Sequence, residues 1–237
     1  MNIAVPITQR FDQPAGVLAS VAHEIQPQQT LMLNGIKRKL LKNTTLLYEE
    51  DPIKHVYEVI SGTIKAVKIL ADGRRQVIGF FSTGDIIGVP LELKAFYSLE
   101  TVTATNILCY PISQLNAAMG RSPEFTKRVF QFIYGELEKH MNHMVSLGRK
   151  RPKERVAAFL LQYHQKNIDA GHTNNVVKLP MTRIDISDYL GLTQETVCRV
   201  LSRFRRSGVI QARSSNEIIV LDLPALRQIA QSGLLLH

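Results

Sequence analysis

Two cysteines, Cys109 and Cys198, and no tryptophan occur in the 237 residues. So few thiols exclude a disulfide framework or a cysteine-rich zinc module, and they fit a reducing compartment. No uninterrupted apolar run approaches the ~18 residues of a membrane span. The opening MNIAVPITQRFDQPAG lacks the charged-then-apolar pattern of a signal peptide. The expectation is a soluble, cytoplasmic protein without a membrane partner. Catalytic signatures are missing too: there is no P-loop, nucleophile elbow or HExxH pair, so an enzyme is not expected. Acidic side chains are in the minority, 20 against 29 basic ones, for a formal charge of +9 and a pI near 9.7. The excess is concentrated in the last third, at Arg149, Lys150, Arg151, Lys153, Arg155, Arg199, Arg203, Arg205, Arg206 and Arg213. A localised basic excess points to a polyanionic partner.

What is present is a globular composition, 45% hydrophobic and 21% charged, enough for two domains. Residues 1–34 are punctuated by Gln and Pro, with a short helix expected around Val17 to Ile25 and no assignable role. HVYEVISGTIKAVKILADGRRQVIGFFSTGDIIG then alternates apolar and polar residues and is cut by Ser61-Gly62, Asp72-Gly73 and Gly84-Asp85. That spacing predicts hairpins stacked into a roll, continuing through SLETVTATNILCYPI to Pro111. The period changes at Ser122-Pro123, a cap and a first-position proline, and a helix is expected to run to about Leu147 before Gly148. Phe125, Val129, Phe132, Ile133, Leu137, Met141 and Met144 recur on it every three or four residues. At about 25 residues the helix would reach ~37 Å, further than a small roll covers, so a second copy is the expected partner. His140 and His143 lie three apart on it and are an alternative metal pair, against the ordinary reading as solvated residues. GRKRPKE reads as a hinge, RVAAFLLQYHQ as a further helix, NIDAGHTNN as a polar turn region and VVKLPM as a short strand.

Thr182 and Asp185 supply a capping-box start, predicting a helix from Arg183 to Leu190 that Gly191 ends. Thr193 can cap a second helix running to about Ser207, with Gly208 as its stop. Ile186, Leu190, Leu192, Val197 and Val200 fall on the inner side, and Ser187 is small where the helices would cross. This is a helix-turn-helix pattern. Glu195, Cys198, Arg199, Ser202 and Arg203 share the opposite face, alongside Thr182, Thr193 and Gln194 as further contact candidates. Glu195 and Arg199 fit an ordinary surface pair one turn apart, and they fit base readout equally: an arginine fork matches guanine, and a carboxylate accepts from cytosine. VIQARSSNEIIVLD reads as a wing that sets Arg213 against phosphate. Cys198 on that face is either a small replacement for serine or a redox-sensitive thiol.

From Leu40 to Leu223 the chain resembles the Crp/Fnr family of bacterial transcription regulators, nearest to its Fnr and FixK-type branch. The resemblance is carried by PMTRIDISDYLGLTQETVCRVLSRFRRSGVI, with SGTIKAV, GFFSTGDIIG and PKERVAAFLL. It implies an α+β chain: a β-roll of the cyclic-nucleotide-binding jelly-roll type over 35–118, a dimerisation helix over 119–149, and a winged helix-turn-helix over 150–237. It further implies a homodimer on double-stranded DNA, acting with RNA polymerase as an activator, and a TTGAT-type half-site read through Glu195, position 198 and Arg199. Cysteine replaces the branch's usual serine at 198. The cyclic-nucleotide receptors carry a Glu and an Arg-Ser pair where this chain has Val89 and Tyr97-Ser98, so cyclic AMP is not expected. Residues 1–108 contain no cysteine, so a four-thiolate iron-sulfur cluster is not expected either, and Cys109 reads as a packed residue. Haem or a small ligand gating DNA binding stays open as the alternative.

Overall fold

The computed structural model describes residues 33–88, 94–169 and 175–231. The N-terminal extension with its expected helix, the position of Val89 and most of the polar turn after Asp169 lie outside the described residues. The expected α+β architecture is what the chain adopts. Eight strands come first: β1 (Ile36–Leu40), β2 (Thr45–Leu47), β3 (His55–Ser61), β4 (Thr63–Ile69), β5 (Arg75–Ser82), β6 (Ile86–Ile87), β7 (Ser98–Thr101) and β8 (Thr105–Pro111). They form two antiparallel four-stranded sheets, in the orders β1-β8-β3-β6 and β2-β7-β4-β5. Apolar residues alternate inward from both sheets, and Val59, Ile64, Ala66, Leu99 and Ile107 are wholly buried between them. Gly62 turns β3 into β4 at φ +95°, and a Cβ there would stand 2.5 Å from the Ala104 carbonyl oxygen. Only glycine fits that corner.

Helix α1 (Ile112–Arg121) follows β8 directly, a segment the sequence reading left unassigned. Helix α2 (Pro123–Arg149) starts as expected, with the Ser122 hydroxyl accepting from the Phe125 N–H. It runs two residues past the expected end, and α3 (Pro152–Asp169) begins after only Lys150 and Arg151. The seven-residue hinge read from GRKRPKE is therefore corrected to two residues, because Pro152 is preorganised for a first helical position. Beyond it lie β9 (Val176–Lys178), α4 (Arg183–Leu190), α5 (Gln194–Arg206), β10 (Ile210–Ala212), β11 (Glu217–Val220) and α6 (Leu223–Gln231). Strands β10, β11 and β9 make a small antiparallel sheet beside the helices.

The apolar stripe of α2 divides in two. Phe125 and Val129 are buried within the protomer against Val56, Ile86, Tyr110 and Leu115, and Phe132 and Ile133 pack partly on the same cluster. The assignment of Phe125 and Val129 to a dimer contact is corrected: the first turns of α2 fall over the roll and α1, which cover those two side chains, whereas Phe132 and Ile133 stay partly exposed. Further along, Phe130, Tyr134, Leu137, Met141 and Met144 are each more than half exposed. Their intervals of four, three, four and three residues are those of a coiled-coil seam. Phe130 and Tyr134 were missed in the sequence because two apolar faces overlap on one helix.

Candidate nucleic-acid interface

The helix-turn-helix is built by its caps. The Thr182 hydroxyl accepts from the Asp185 N–H at 3.1 Å, and the Asp185 carboxylate accepts from the Thr182 N–H at 3.1 Å. The same carboxylate oxygen takes a bond from the Thr182 hydroxyl at 2.7 Å. Thr182 is exposed, but its hydroxyl already belongs to the helix start. Gly191, at φ +60°, terminates α4 in the left-handed conformation. The Thr193 hydroxyl then accepts from the Thr196 N–H at 3.2 Å and starts α5. Ile186, Leu190, Val197 and Val200 are buried between the helices, Leu192 is half-buried, and buried Ser187 donates to the Ile184 carbonyl at 2.8 Å.

The outer face of α5 is left to solvent. Gln194, Glu195, Cys198, Arg199 and Arg203 are exposed, whereas Ser202 is half-buried toward the wing. Arg199 Nη1 stands 3.9 Å from Glu195 Oε1, both groups largely in solvent. So loose and exposed a pair contributes a few tenths of a kcal/mol at most and leaves both heads free to turn outward. The hairpin of β10 and β11 forms the wing, with Arg213 near its tip, 62% exposed and 3.8 Å from Glu217. Arg183 was not singled out by its sequence context. Its Nη2 donates to the Ser215 carbonyl at 3.0 Å, tying α4 to the wing, while its Nη1 is buried without a hydrogen-bond partner. A cleft of about 180 Å³ between α5 and the wing is lined by Arg183, Cys198, Ser202, Arg205, Ala212 and Ile218, among others. Desolvation in this corner lowers the Arg183 pKa, with Cys198 acting against it.

The inner side of α4 docks on the roll. Lys65 of β4 donates to Asp185 Oδ1 at 2.8 Å, and Arg75 of β5 reaches Asp185 at 2.9 Å and Asp188 at 2.8 Å. Glu100 stands 3.3 Å from the Lys65 ammonium. Burial alone would raise Asp185, but the bonds from Lys65 and Thr182 outweigh it and hold the carboxyl below its ordinary range. Desolvation likewise opposes the charge on Arg75, and Asp188 and Asp185 reverse it to a net rise. Tyr189 lies among Phe80, Phe159 and the stacked ring of His143, and burial pushes its phenol up to about 12. On the far side of the contact, Lys166 of α3 approaches Asp85 at 3.4 Å.

His140 and His143 are not the solvated pair expected from sequence. His140 Nδ1 bonds the Glu136 carbonyl at 2.7 Å, and His143 Nε2 bonds the Tyr189 carbonyl at 3.1 Å. Burial lowers the pKa of His143, which favours the neutral ring. Among the described residues no group of three or more His, Cys, Asp or Glu side chains could hold a metal ion. Cys109 is 3% exposed in the roll core, and burial pushes its thiol up, as expected of a packed residue. Ser98 Oγ accepts from the Glu49 N–H at 3.0 Å, and Tyr97 is half-buried against the roll core. No helix among the described residues is long and apolar enough to cross a membrane.

A jelly roll joined by a long helix to a winged helix-turn-helix defines a DNA-binding regulator with a sensor-type domain. The cyclic nucleotide-binding domain family matches residues 37–122, and the Crp-like helix-turn-helix domain family matches 154–229. The nitrogen fixation regulation protein FixK of Azorhizobium caulinodans is 31% identical over 95% of this chain and 90% of its own. The fumarate and nitrate reduction regulatory protein of Escherichia coli K12 is 31% identical over 82% of this chain and 78% of its own. The solved structure of FixK2 from Bradyrhizobium japonicum superposes with a TM-score of 0.79 at 31% identity, covering 83% of this chain and 98% of that one. The chain belongs to the Crp/Fnr family of transcription regulators.

Proposed function

We propose that the protein is a homodimeric activator that reads a two-fold operator with TTGAT-type half-sites through α5. The observation that carries this is the free outer face of α5, where Glu195 and Arg199 stand exposed beside a basic wing. In the major groove Arg199 pairs with guanine, Glu195 accepts from a cytosine amino group, and Arg213 contacts phosphate. Thr193, Gln194, Cys198, Ser202 and Arg203 complete the facing surface. The exposed seam from Phe130 to Met144 supplies the contact between copies. RNA polymerase is the further partner, and the cytoplasm the compartment. A fluorescence-anisotropy titration of an inverted-repeat duplex against a scrambled one tests the reading. Equal affinity for both would overturn it.

No cyclic AMP and no iron-sulfur cluster enter this reading. Tyr97 and Ser98 stand where an Arg-Ser pair would be needed, and the only two thiols of the chain are a core residue and a recognition-helix residue. A haem ligated through His143 Nε2 would first have to displace the bond of that nitrogen to the Tyr189 carbonyl. DNA binding is instead modulated through Cys198. The sulfur, as thiolate, attacks a peroxide oxygen, the O–O bond breaks, hydroxide leaves and takes a proton from solvent to become water, and a sulfenic acid remains. Bulk and, in higher oxidation states, negative charge then stand on a surface that must approach phosphate.

A further inference from the structure

Arg155 lies in the first turn of α3, where a cation opposes the helix's own dipole. Its guanidinium is turned away to other segments. Nε donates to the Lys150 carbonyl at 2.9 Å and Nη2 to the Leu147 carbonyl at 2.7 Å. Nη1 donates to the Leu190 carbonyl at 2.9 Å and to that of Gly191 at 3.4 Å. Leu147 and Lys150 are the end of α2, and Leu190 and Gly191 are the end of α4. Terminal carbonyls lack partners within their own helix and carry the negative end of its dipole, so one cation satisfies two helix ends together. The fork is planar and rigid, which fixes the directions of both ends as well as their distance. Gly191 completes the joint: a Cβ there would lie 3.5 Å from both Arg155 Nη1 and Leu147 Cδ2.

We propose that Arg155 is the positioning residue that sets the angle between α2 and the helix-turn-helix, and with it the half-site spacing that the dimer accepts. The inference rests on the two-fold reading above. Helix α2 carries the contact between copies, and α5 is packed on α4 through Ile186, Val197 and Val200. Once the end of α4 is pinned to the end of α2, the recognition helix has one orientation to the dimer axis. The start of α4 is held separately, by Lys65 and Arg75 on Asp185. Without the guanidinium fork α4 keeps that anchor, the Arg75–Asp188 pair and the His143–Tyr189 contact, but the carbonyls of its last residue and of Gly191 lose the cation that ties them to the end of α2. The consequence is a spread of recognition-helix orientations in a protein that still folds.

The test compares the parent with R155K, which keeps the charge but not the fork, and with R155Q, which keeps a donor but not the charge. Each is titrated with duplexes carrying two half-sites at the preferred spacing, with one or two base pairs inserted or removed at the centre, and with a single half-site. One base pair displaces a half-site by about 3.4 Å and rotates it by roughly 35°. The parent is expected to lose at least about tenfold in affinity per step, because simultaneous engagement of both half-sites is lost. Both variants are expected to discriminate less than about threefold, with single half-site affinity unchanged and the circular-dichroism spectrum intact. Parental spacing discrimination in both variants overturns the assignment. So does failure of both to fold, which would make Arg155 a stability residue. A parent indifferent to spacing overturns the two-fold reading itself and this inference with it.

Discussion

Lys65 and Asp185 meet at 2.8 Å across 120 residues of sequence, joining a strand of the roll to the first helix of the helix-turn-helix. Both side chains are nearly closed to solvent, 11% and 5% exposed, so this contact is not a screened surface pair. Its partner Asp185 also forms the capping box of α4. One carboxylate thus starts the helix and seats it on the roll.

Acid should release that seat. The folded carboxyl of Asp185 lies below its ordinary range, so its contribution to stability is fully present above the unfolded pKa of about 3.9 and is lost as pH falls through the folded value. In denaturant titrations from pH 7 to pH 3, the stability gap between parent and D185N is expected to be constant above about pH 5 and to shrink below about pH 4. Lys65→Met, which leaves the buried carboxylate with its Thr182 bonds and Arg75 as its remaining cation, is expected to cost about 2–4 kcal/mol at pH 7. A pH-independent gap for D185N would contradict the linkage.

Legibility in the sequence followed from the range of the interactions. Helix α4 was readable to the residue, because Thr182 and Asp185 act within its first turn and Gly191 at its last, each through local backbone. Helix α1 was not: it follows β8 at Pro111 without a side-chain cap, so no start signal exists to be read. The outer face of α5 was readable from helical spacing alone, but Ser202 turned partly toward a wing whose position no local pattern reveals. Lys65 and Arg75 looked like ordinary strand-surface charges, because Asp185 and Asp188, which draw them to α4, lie more than a hundred residues away. Arg155 did carry a faint sign, a cation at the wrong end of a helix.

The two halves of the α2 stripe should separate by mutation. Phe125→Ala opens a cavity in the protomer core and is expected to destabilise the fold by about 3–5 kcal/mol without selectively weakening self-association. Met141→Lys places a charge in the exposed seam and is expected to yield folded monomer at micromolar concentration in sedimentation velocity. A dimeric Met141→Lys protein would show that copies meet elsewhere.

Arg199 and Arg213 should differ in kind. Arg199→Ala is expected to weaken the cognate site by about 1–3 kcal/mol and to flatten discrimination at one base pair. Arg213→Ala is expected to weaken all sequences alike and make the salt dependence shallower by about one unit of slope. Equal losses on cognate and random DNA for Arg199→Ala would remove its readout role.

Peroxide is expected to abolish operator binding while the dimer persists in sedimentation. Cys198→Ser should bind as the parent does and resist peroxide, and Cys198→Asp should fail to bind even when reduced. A serine variant that loses binding as readily as the parent would make position 198 a packing choice, since the other thiol, Cys109, is buried in the roll.

The most direct measurement is selection of bound sequences from a pool of random duplexes by the full chain, followed by sequencing. The expected product is an inverted repeat of TTGAT-type half-sites whose centres lie about one helical turn apart. Enrichment of a single unrepeated element, or of no element at all, would contradict a two-fold regulator that reads DNA through α5.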